Sequence, residues 1–409
     1  MQRKYLLLIL LAAVAALPGI FVRWAGLQLS PPLAALVAGG AILGASFLLL
    51  WACDAAQTDI SQALALAVVA LIAVLPEYAV DMYFAWQAGQ FPDSDYGSYA
   101  AANMTGANRL IIGVAWSVVV LICWLRSRRA VRLEENQRTE VIFLGLATAY
   151  AFLVVAKRSL AWYDAVVFIG LYVWYLALSA GRPRSEHHAE GPAELLTNLA
   201  KAPRRWATAI MFLFAAVAIL VNARPFCEGL LGTGRLFKIS EFLLVQWIAP
   251  LASEAPEFTV AIMFAWRGRD SAALGSLLSA KLNQWTLLVG MIPVVFAISA
   301  RSLAYPIPMV DFQMQEIFLT AAQSLLAVVI LARLSLSMPQ AALLFFLFAG
   351  QLVLPGIVAQ LPGGHLLGLY PAEVHPAFSI AYLVIAAFIM VRWPASVLRL
   401  REGLVGRGA

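Results

Sequence analysis

Long apolar stretches follow one another along almost the whole chain, separated by short polar or breaker-rich connections. Most are close to the ~20 residues that a helix needs to cross ~30 Å of hydrocarbon. Hydropathy and the placement of Gly, Pro and charge predict twelve spans, near 5–24, 33–53, 60–87, 98–125, 139–156, 161–179, 206–222, 239–266, 271–300, 312–333, 338–359 and 376–393. The longest polar stretch, Gly181 to Arg205, contains Pro183, Pro192 and Pro203 with charges of both signs. It predicts a linker, 181–205, between two six-helix halves, 1–180 and 206–409. The expected fold is an all-α polytopic membrane protein.

Two of the predicted spans nearly repeat each other. Leu75-Pro76-Glu77-Tyr78-Ala79-Val80-Asp81-Met82-Tyr83-Phe84-Ala85-Trp86 returns as Ala255-Pro256-Glu257-Phe258-Thr259-Val260-Ala261-Ile262-Met263-Phe264-Ala265-Trp266. The first lies in the third span and the second in the eighth. An offset of five is odd, so the two copies enter the membrane in opposite directions. This predicts two inverted five-helix repeats, about 33–179 and 206–359, with one extra helix at each end.

Composition sharpens this picture. The 409 residues are 62% hydrophobic and 12% charged, where a soluble domain carries about 25% charged residues. The net charge of +6 reads as membrane topology, because no basic stripe with interleaved aromatics suggests a nucleic-acid partner. Of the 28 Lys and Arg, nineteen fall on the side holding both termini and seven on the other, with Arg109 and Lys281 inside spans. Positive-inside places both termini and the linker in the cytoplasm, in a plasma (inner) membrane. Cys53, Cys123 and Cys227 stand far apart in or beside spans and read as small buried hydrophobes. Arg23 and Trp24 follow the first apolar run where a small-residue cleavage site would stand, so a retained first helix is expected.

The repeated glutamates carry the candidate chemistry. An intramembrane carboxylate costs roughly 2.5–3.5 kcal/mol on insertion scales, and here the cost recurs beside a proline in both copies. Each proline is expected to split its span into half-helices, freeing carbonyls that are tolerated at depth only where they line a cavity. Carbonyls and a carboxylate together suit a hard cation. In the second copy Pro250 and Pro256 bracket Glu254. The next span in each copy supplies small residues and amides: Asn103, Gly106 and Asn108 ahead of Arg109, then Ser279, Lys281 and Asn283. Small residues allow close helix approach, and Asn can offer a carbonyl oxygen. Asp81, four residues after Glu77 on the same helical face, is either a second proton carrier or the partner of Arg109. His187, His188, His365 and His375 all fall in predicted loops, so no histidine relay within the membrane is expected.

These segments resemble the sodium/calcium exchanger family of calcium/cation antiporters. Its inverted repeats each carry a Gly-Thr-Ser-x-Pro-Glu-like segment followed by a Gly-Asn-x-x-Gly-Ser-Asn-like one. The resemblance covers about 45 residues in each half. It implies that Glu77 and Glu257 are ion-binding glutamates, that Asn103, Asn108 and Asn283 belong to the site, and that Ca²⁺ or a similar cation is exchanged for H⁺ or Na⁺. The chain also departs from the pattern. Ala73-Val74 replaces the family's Thr-Ser, Ser253-Glu254 adds a carboxylate, and Lys281 stands where the family has Gly. An ammonium there can take the place of a bound Na⁺ or titrate with the carboxylates, so Glu254 joins the candidate ligands, and Lys281 and Asp81 the coupling residues.

A secondary cation antiporter is thus expected, with inorganic cations as substrates, the lipid bilayer as surroundings, no cofactor, and a monomer sufficient for function. The rivals are a membrane-embedded enzyme or a non-transporting membrane protein using the paired acids. The enzyme lacks an Asp-rich, nucleotide-binding or Ser/His signature, and a channel is ordinarily an oligomer, whereas this chain holds two complete halves.

Overall fold

The structure, a computed structural model, describes residues 2–59, 74–180, 189, 191–366 and 368–404. The fold is all-α and polytopic. Eleven helical segments among the described residues are long and apolar enough to cross a membrane, and each matches a predicted span. The twelfth expectation, 60–87, falls partly outside the described residues; its remainder forms a helix from Leu75.

The first helices are α1 (Gln2–Trp24), α2 (Pro31–Ala56), α3 (Leu75–Gln90) and α4 (Tyr96–Leu110), the last continued by a π-helical turn at Ile111–Ala115 and by α5 (Trp116–Ser127). A short strand β1 (Val131–Arg132) precedes α6 (Arg138–Lys157) and α7 (Trp162–Ala180). The 181–205 stretch holds α8 (Ala193–Thr197) and the start of α9 (Lys201–Phe237), which is followed by α10 (Glu241–Trp266) and α11 (Asp270–Asn283). A second π-helical turn, Gln284–Leu288, leads into α12 (Val289–Ala300). Then come α13 (Asp311–Leu331), β2 (Ser335–Leu336), α14 (Met338–Gln360), α15 (Pro371–Arg392) and α16 (Pro394–Leu398). The two strands pair antiparallel, an addition too short to announce itself in an apolar pattern.

Local chemistry sets several ends. Prolines open α2 and α15, where the missing N–H costs nothing and φ is already helical. The carboxamide oxygen of Gln340 accepts from the Ser337 backbone N–H at 2.9 Å and starts α14. Four helices close on a basic residue in the left-handed region, Arg128, Arg158, Lys238 and Arg301, with φ between 52° and 56°. Each basic residue there also complements the negative end of the helix dipole.

Two expectations about prolines need correction. α10 runs unbroken with Pro250 and Pro256 inside it, so the second copy is not split into half-helices. Each proline only removes the donor for the carbonyl four residues earlier, at Gln246 and Ala252. Likewise α9 continues through Pro225 to Phe237, although Asn222, Arg224 and Pro225 mark an end at 222 in the sequence. Residues 60–73, Ala73 included, lie outside the described residues.

The chain divides into two compact units, Met1–Gln87 with Leu176–Pro256, and Ala88–Tyr175 with Glu257–Ala409. In the first, α1, α2 and α9 pack through Ala16, Ala45, Leu49, Ala218 and Ile219. Gly44 and Gly229 permit this approach: a Cβ on either would come within 2.5 Å of the Ala12 carbonyl oxygen and 2.6 Å of the Ala35 nitrogen. Close packing of small residues is how apolar helices associate in lipid. In the second unit α13 is central, with 83% of its apolar window buried.

Candidate functional site

Nearly all of α4 is buried from Tyr99 to Leu110, and this helix presents the amides of the first copy. Asn103 is 1% exposed and Asn108 fully buried. Asn108 donates from Nδ2 to the Met104 carbonyl at 2.8 Å, and its Oδ1 accepts from Lys281 Nζ at 2.7 Å. Lys281, on α11, is itself fully buried, so its ammonium does not reach a surface in the way a snorkelling lysine does. It also lies 4.5 Å from the centre of the Trp285 ring. An amide oxygen and an aromatic face thus hold a positive charge inside the second unit.

Asn283 ends α11 and opens a different polar chain. Its Nδ2 donates to the Tyr172 hydroxyl at 3.1 Å, and the Tyr172 and Tyr175 rings stand 5.8 Å apart. Tyr175 then donates to Glu140 Oε1 at 3.0 Å, an oxygen that also accepts from Ser279 at 2.9 Å. Glu140, in the first turn of α6, was not among the sequence candidates. The π-helical turns follow directly on these amides, three residues after Asn108 and one after Asn283. Such turns shift the helical register and cluster at functional positions; here both copies carry one at a matching place.

Glu257 belongs to the second unit as well. Its Oε2 is buried and has no hydrogen-bond partner among the described residues, a state that suits a group satisfied by a transported cation or proton. In the first unit, Glu77 is 2% exposed and Asp81 fully buried on α3, while Glu254 is 1% exposed on α10. All three acids are therefore interior. Within the first unit, the Tyr83 hydroxyl, two residues after Asp81 on α3, donates to Glu228 of α9 at 3.1 Å.

One cluster escaped the sequence reading. Arg109, 1% exposed, pairs through Nη2 with Glu316 Oε2 on α13, which is fully buried. The other oxygen of Glu316 lies 2.6 Å from His375 Nδ1 on α15. His375 is inside a membrane-length helix, so its expected place in a loop is wrong: Pro371 and Pro376 read as breakers, but they fall within the first two turns of α15. Glu316 was signalled by a lone acid four residues inside a predicted span, with Thr320 and Gln323 following at helical spacing. It drew no attention because it has no repeat partner.

The family model described as sodium/calcium exchanger protein matches residues 30–181 and 207–356. The crystal structure of an H⁺/Ca²⁺ exchanger, CAX, superposes with a TM-score of 0.90 and 40% identity, covering 99% of this chain and 98% of that one. A putative antiporter, CaxA of Alkalimonas amylolytica, is 23% identical over 270 residues, 63% of this chain and 80% of the relative. The sodium-calcium exchanger NCX_Mj shares the fold, with a TM-score of 0.50 at 18% identity over 80% of this chain and 97% of that one.

Proposed function

Because the chain belongs to the sodium/calcium exchanger family, we propose that it exchanges Ca²⁺ or a similar divalent cation for protons. The protein is a multi-pass membrane cation antiporter. The proton-coupled reading rests above all on Lys281, a fully buried ammonium hydrogen-bonded to Asn108. An exchanger with an ammonium hydrogen-bonded to one of its candidate ligands has less room for a second monovalent cation there. A charged lysine can instead be displaced or lose its proton as a divalent cation arrives. The 40% identity to an H⁺/Ca²⁺ exchanger over almost the full length supports the same reading.

In this account Glu77 and Glu257 are the carboxylates that carry cation one way and protons the other. Asn103, Asn108 and Asn283 supply neutral amide oxygens, and Glu254 adds charge beside Glu257. Asp81, four residues after Glu77 on α3, acts as a second proton carrier. Access alternates between the two sides, and a single chain suffices. Both termini and the linker face the cytoplasm, as the Lys and Arg distribution supports.

The test is cation uptake into proteoliposomes against a panel of cations, with internal pH followed by a trapped dye and the membrane potential clamped. Ca²⁺ uptake accompanied by proton movement in the opposite direction, without Na⁺, is the expected result. Uptake that requires Na⁺ and leaves pH unchanged would replace protons by sodium as the coupling ion. No uptake of any cation would remove the transport reading.

A further inference from the structure

The first unit holds a cavity of about 410 Å³ between the end of α1, the start of α2 and the middle of α9. That size is ordinary for a small-ligand pocket. Arg23, Asn222, Arg224 and Glu228 all contribute to its wall. Asn222 is 1% exposed, and its Nδ2 donates to the Ala218 carbonyl one turn back at 2.8 Å. A carbonyl only accepts, so this bond fixes which end of the amide is oxygen. Oδ1 is then buried without a hydrogen-bond partner among the described residues, and such an acceptor calls for a donor. Gly19, also in the wall, leaves the room: a Cβ there would come within 2.1 Å of Oδ1.

The charges at the cavity are unequal. Arg224 Nε pairs with Glu228 Oε1 at 2.9 Å, an oxygen that also accepts from the Tyr83 hydroxyl. Arg23 is exposed and has no ion pair among the described residues. Two guanidiniums against one carboxylate leave one positive charge, which suits a phosphate. Depth in the bilayer then narrows the ligand. Arg23 stands 21 residues after Gln2 on α1, and Asn222 stands 21 after Lys201 on α9. At 1.5 Å per residue each lies ~32 Å along its helix, about one hydrocarbon thickness from the start. Trp24, 84% exposed, marks the same level as a headgroup-side aromatic. Deeper in, the exposed faces are apolar and recur at helical spacing: Val14, Leu17 and Phe21 on α1, Leu213, Val217 and Leu220 on α9. The cavity therefore lies where lipid-facing surface gives way to the headgroup layer.

We propose that this cavity binds the headgroup of an anionic phospholipid that carries hydroxyl groups. The phosphodiester sits beside Arg23, a headgroup hydroxyl donates to Asn222 Oδ1, and the acyl chains run down the exposed apolar faces of α1 and α9. A zwitterionic headgroup would add an ammonium to a cavity already net positive, so it fits less well. In the proposed topology the site belongs to the outer leaflet. None of this depends on the antiporter reading.

Native mass spectra of the full-length protein, released from detergent micelles, test the site against rising concentrations of defined ligands. The first phosphatidylglycerol should bind more tightly than the first phosphatidylcholine. Phosphatidylmethanol, which keeps the charge and lacks the hydroxyls, should bind more weakly than phosphatidylglycerol. Free glycerol 3-phosphate should neither bind nor displace the lipid. Arg23→Gln, at an exposed position, should weaken phosphatidylglycerol about fivefold and leave phosphatidylcholine unchanged. Ala34→Phe, which fills the cavity from half-buried α2 wall, should remove the tight first event, with thermal unfolding as the control for folding. Equal binding of the anionic and zwitterionic lipids by the parent, or an unchanged preference in Arg23→Gln, would overturn the site. Phosphatidylmethanol binding as tightly as phosphatidylglycerol would overturn the contact with Asn222. Tight binding of glycerol 3-phosphate would overturn the lipid and leave a soluble phosphate ester as the ligand.

Discussion

Replacing Lys281 by Met should tighten cation binding and flatten its pH dependence. Methionine keeps most of the aliphatic volume and removes the charge, so the buried position stays filled. The ammonium is held by Asn108 Oδ1 at 2.7 Å and by the Trp285 ring at 4.5 Å. A hydrogen bond from a charged donor contributes about 1.5–3 kcal/mol, and an ammonium over an aromatic face away from water contributes about 2 kcal/mol. A cation that uses Asn108 must undo at least the first of these. Relieving about 2 kcal/mol of competition corresponds to about 30-fold tighter apparent binding. The loss of a like charge beside the site acts in the same direction. The assay is the half-saturating Ca²⁺ concentration for uptake into proteoliposomes at several pH values, with thermal unfolding as the control for folding. A folded variant whose half-saturation stays within about twofold of the parent at every pH, with the same pH profile, would show that Lys281 does not compete with the cation.

Three further outcomes follow from individual contacts. Glu77→Gln and Glu257→Gln should each abolish exchange while leaving the protein folded, since the swap keeps volume and removes charge; near-normal flux from either would make that acid structural. A Cβ on Gly113 would lie 2.3 Å from Phe348 Cγ, so Gly113→Ala should lower stability by about 1–3 kcal/mol. Adding Phe348→Leu should recover part of that loss, and an unchanged melting temperature in the single variant would refute the close approach. Arg204 makes two hydrogen bonds to Asp59, at 2.7 and 2.8 Å, and holds its carboxyl below the usual range. Because the folded value is depressed, this contribution is present above the unfolded value of about 3.9 and is lost as pH falls through the folded one. Melting of the parent should therefore fall more steeply in acid than that of Asp59→Asn; parallel curves would contradict it.

Hydropathy located the spans because the bilayer leaves a chain few other ways to satisfy its backbone. It could not locate helix ends where a proline is absorbed. Pro225, Pro250 and Pro256 all sit inside continuous helices, since one lost donor does not outweigh a helix packed on its neighbours. Duplication marks Glu77 and Glu257 in the sequence, whereas Glu316 occurs once and has no repeat partner to mark it. Prolines at 371 and 376 make His375 read as loop, although Pro371 suits the first position of α15 and Pro376, in the second turn, removes only one backbone donor. The π-helical turns after Asn108 and Asn283 left no compositional trace, being products of how those helices pack. The burial of Lys281 was legible from its small neighbours, but its partner Asn108 comes from the other half of the chain, beyond the reach of spacing.

The central claim is that a divalent cation and protons compete for the same carboxylates, and calorimetric titration of the purified protein tests it most directly. Ca²⁺ is titrated without Na⁺ in two buffers of different ionisation enthalpy, which reports the protons released per cation bound. The account predicts proton release on binding, lost in Glu257→Gln. Cation binding that releases no protons, and that added Na⁺ displaces, would contradict it.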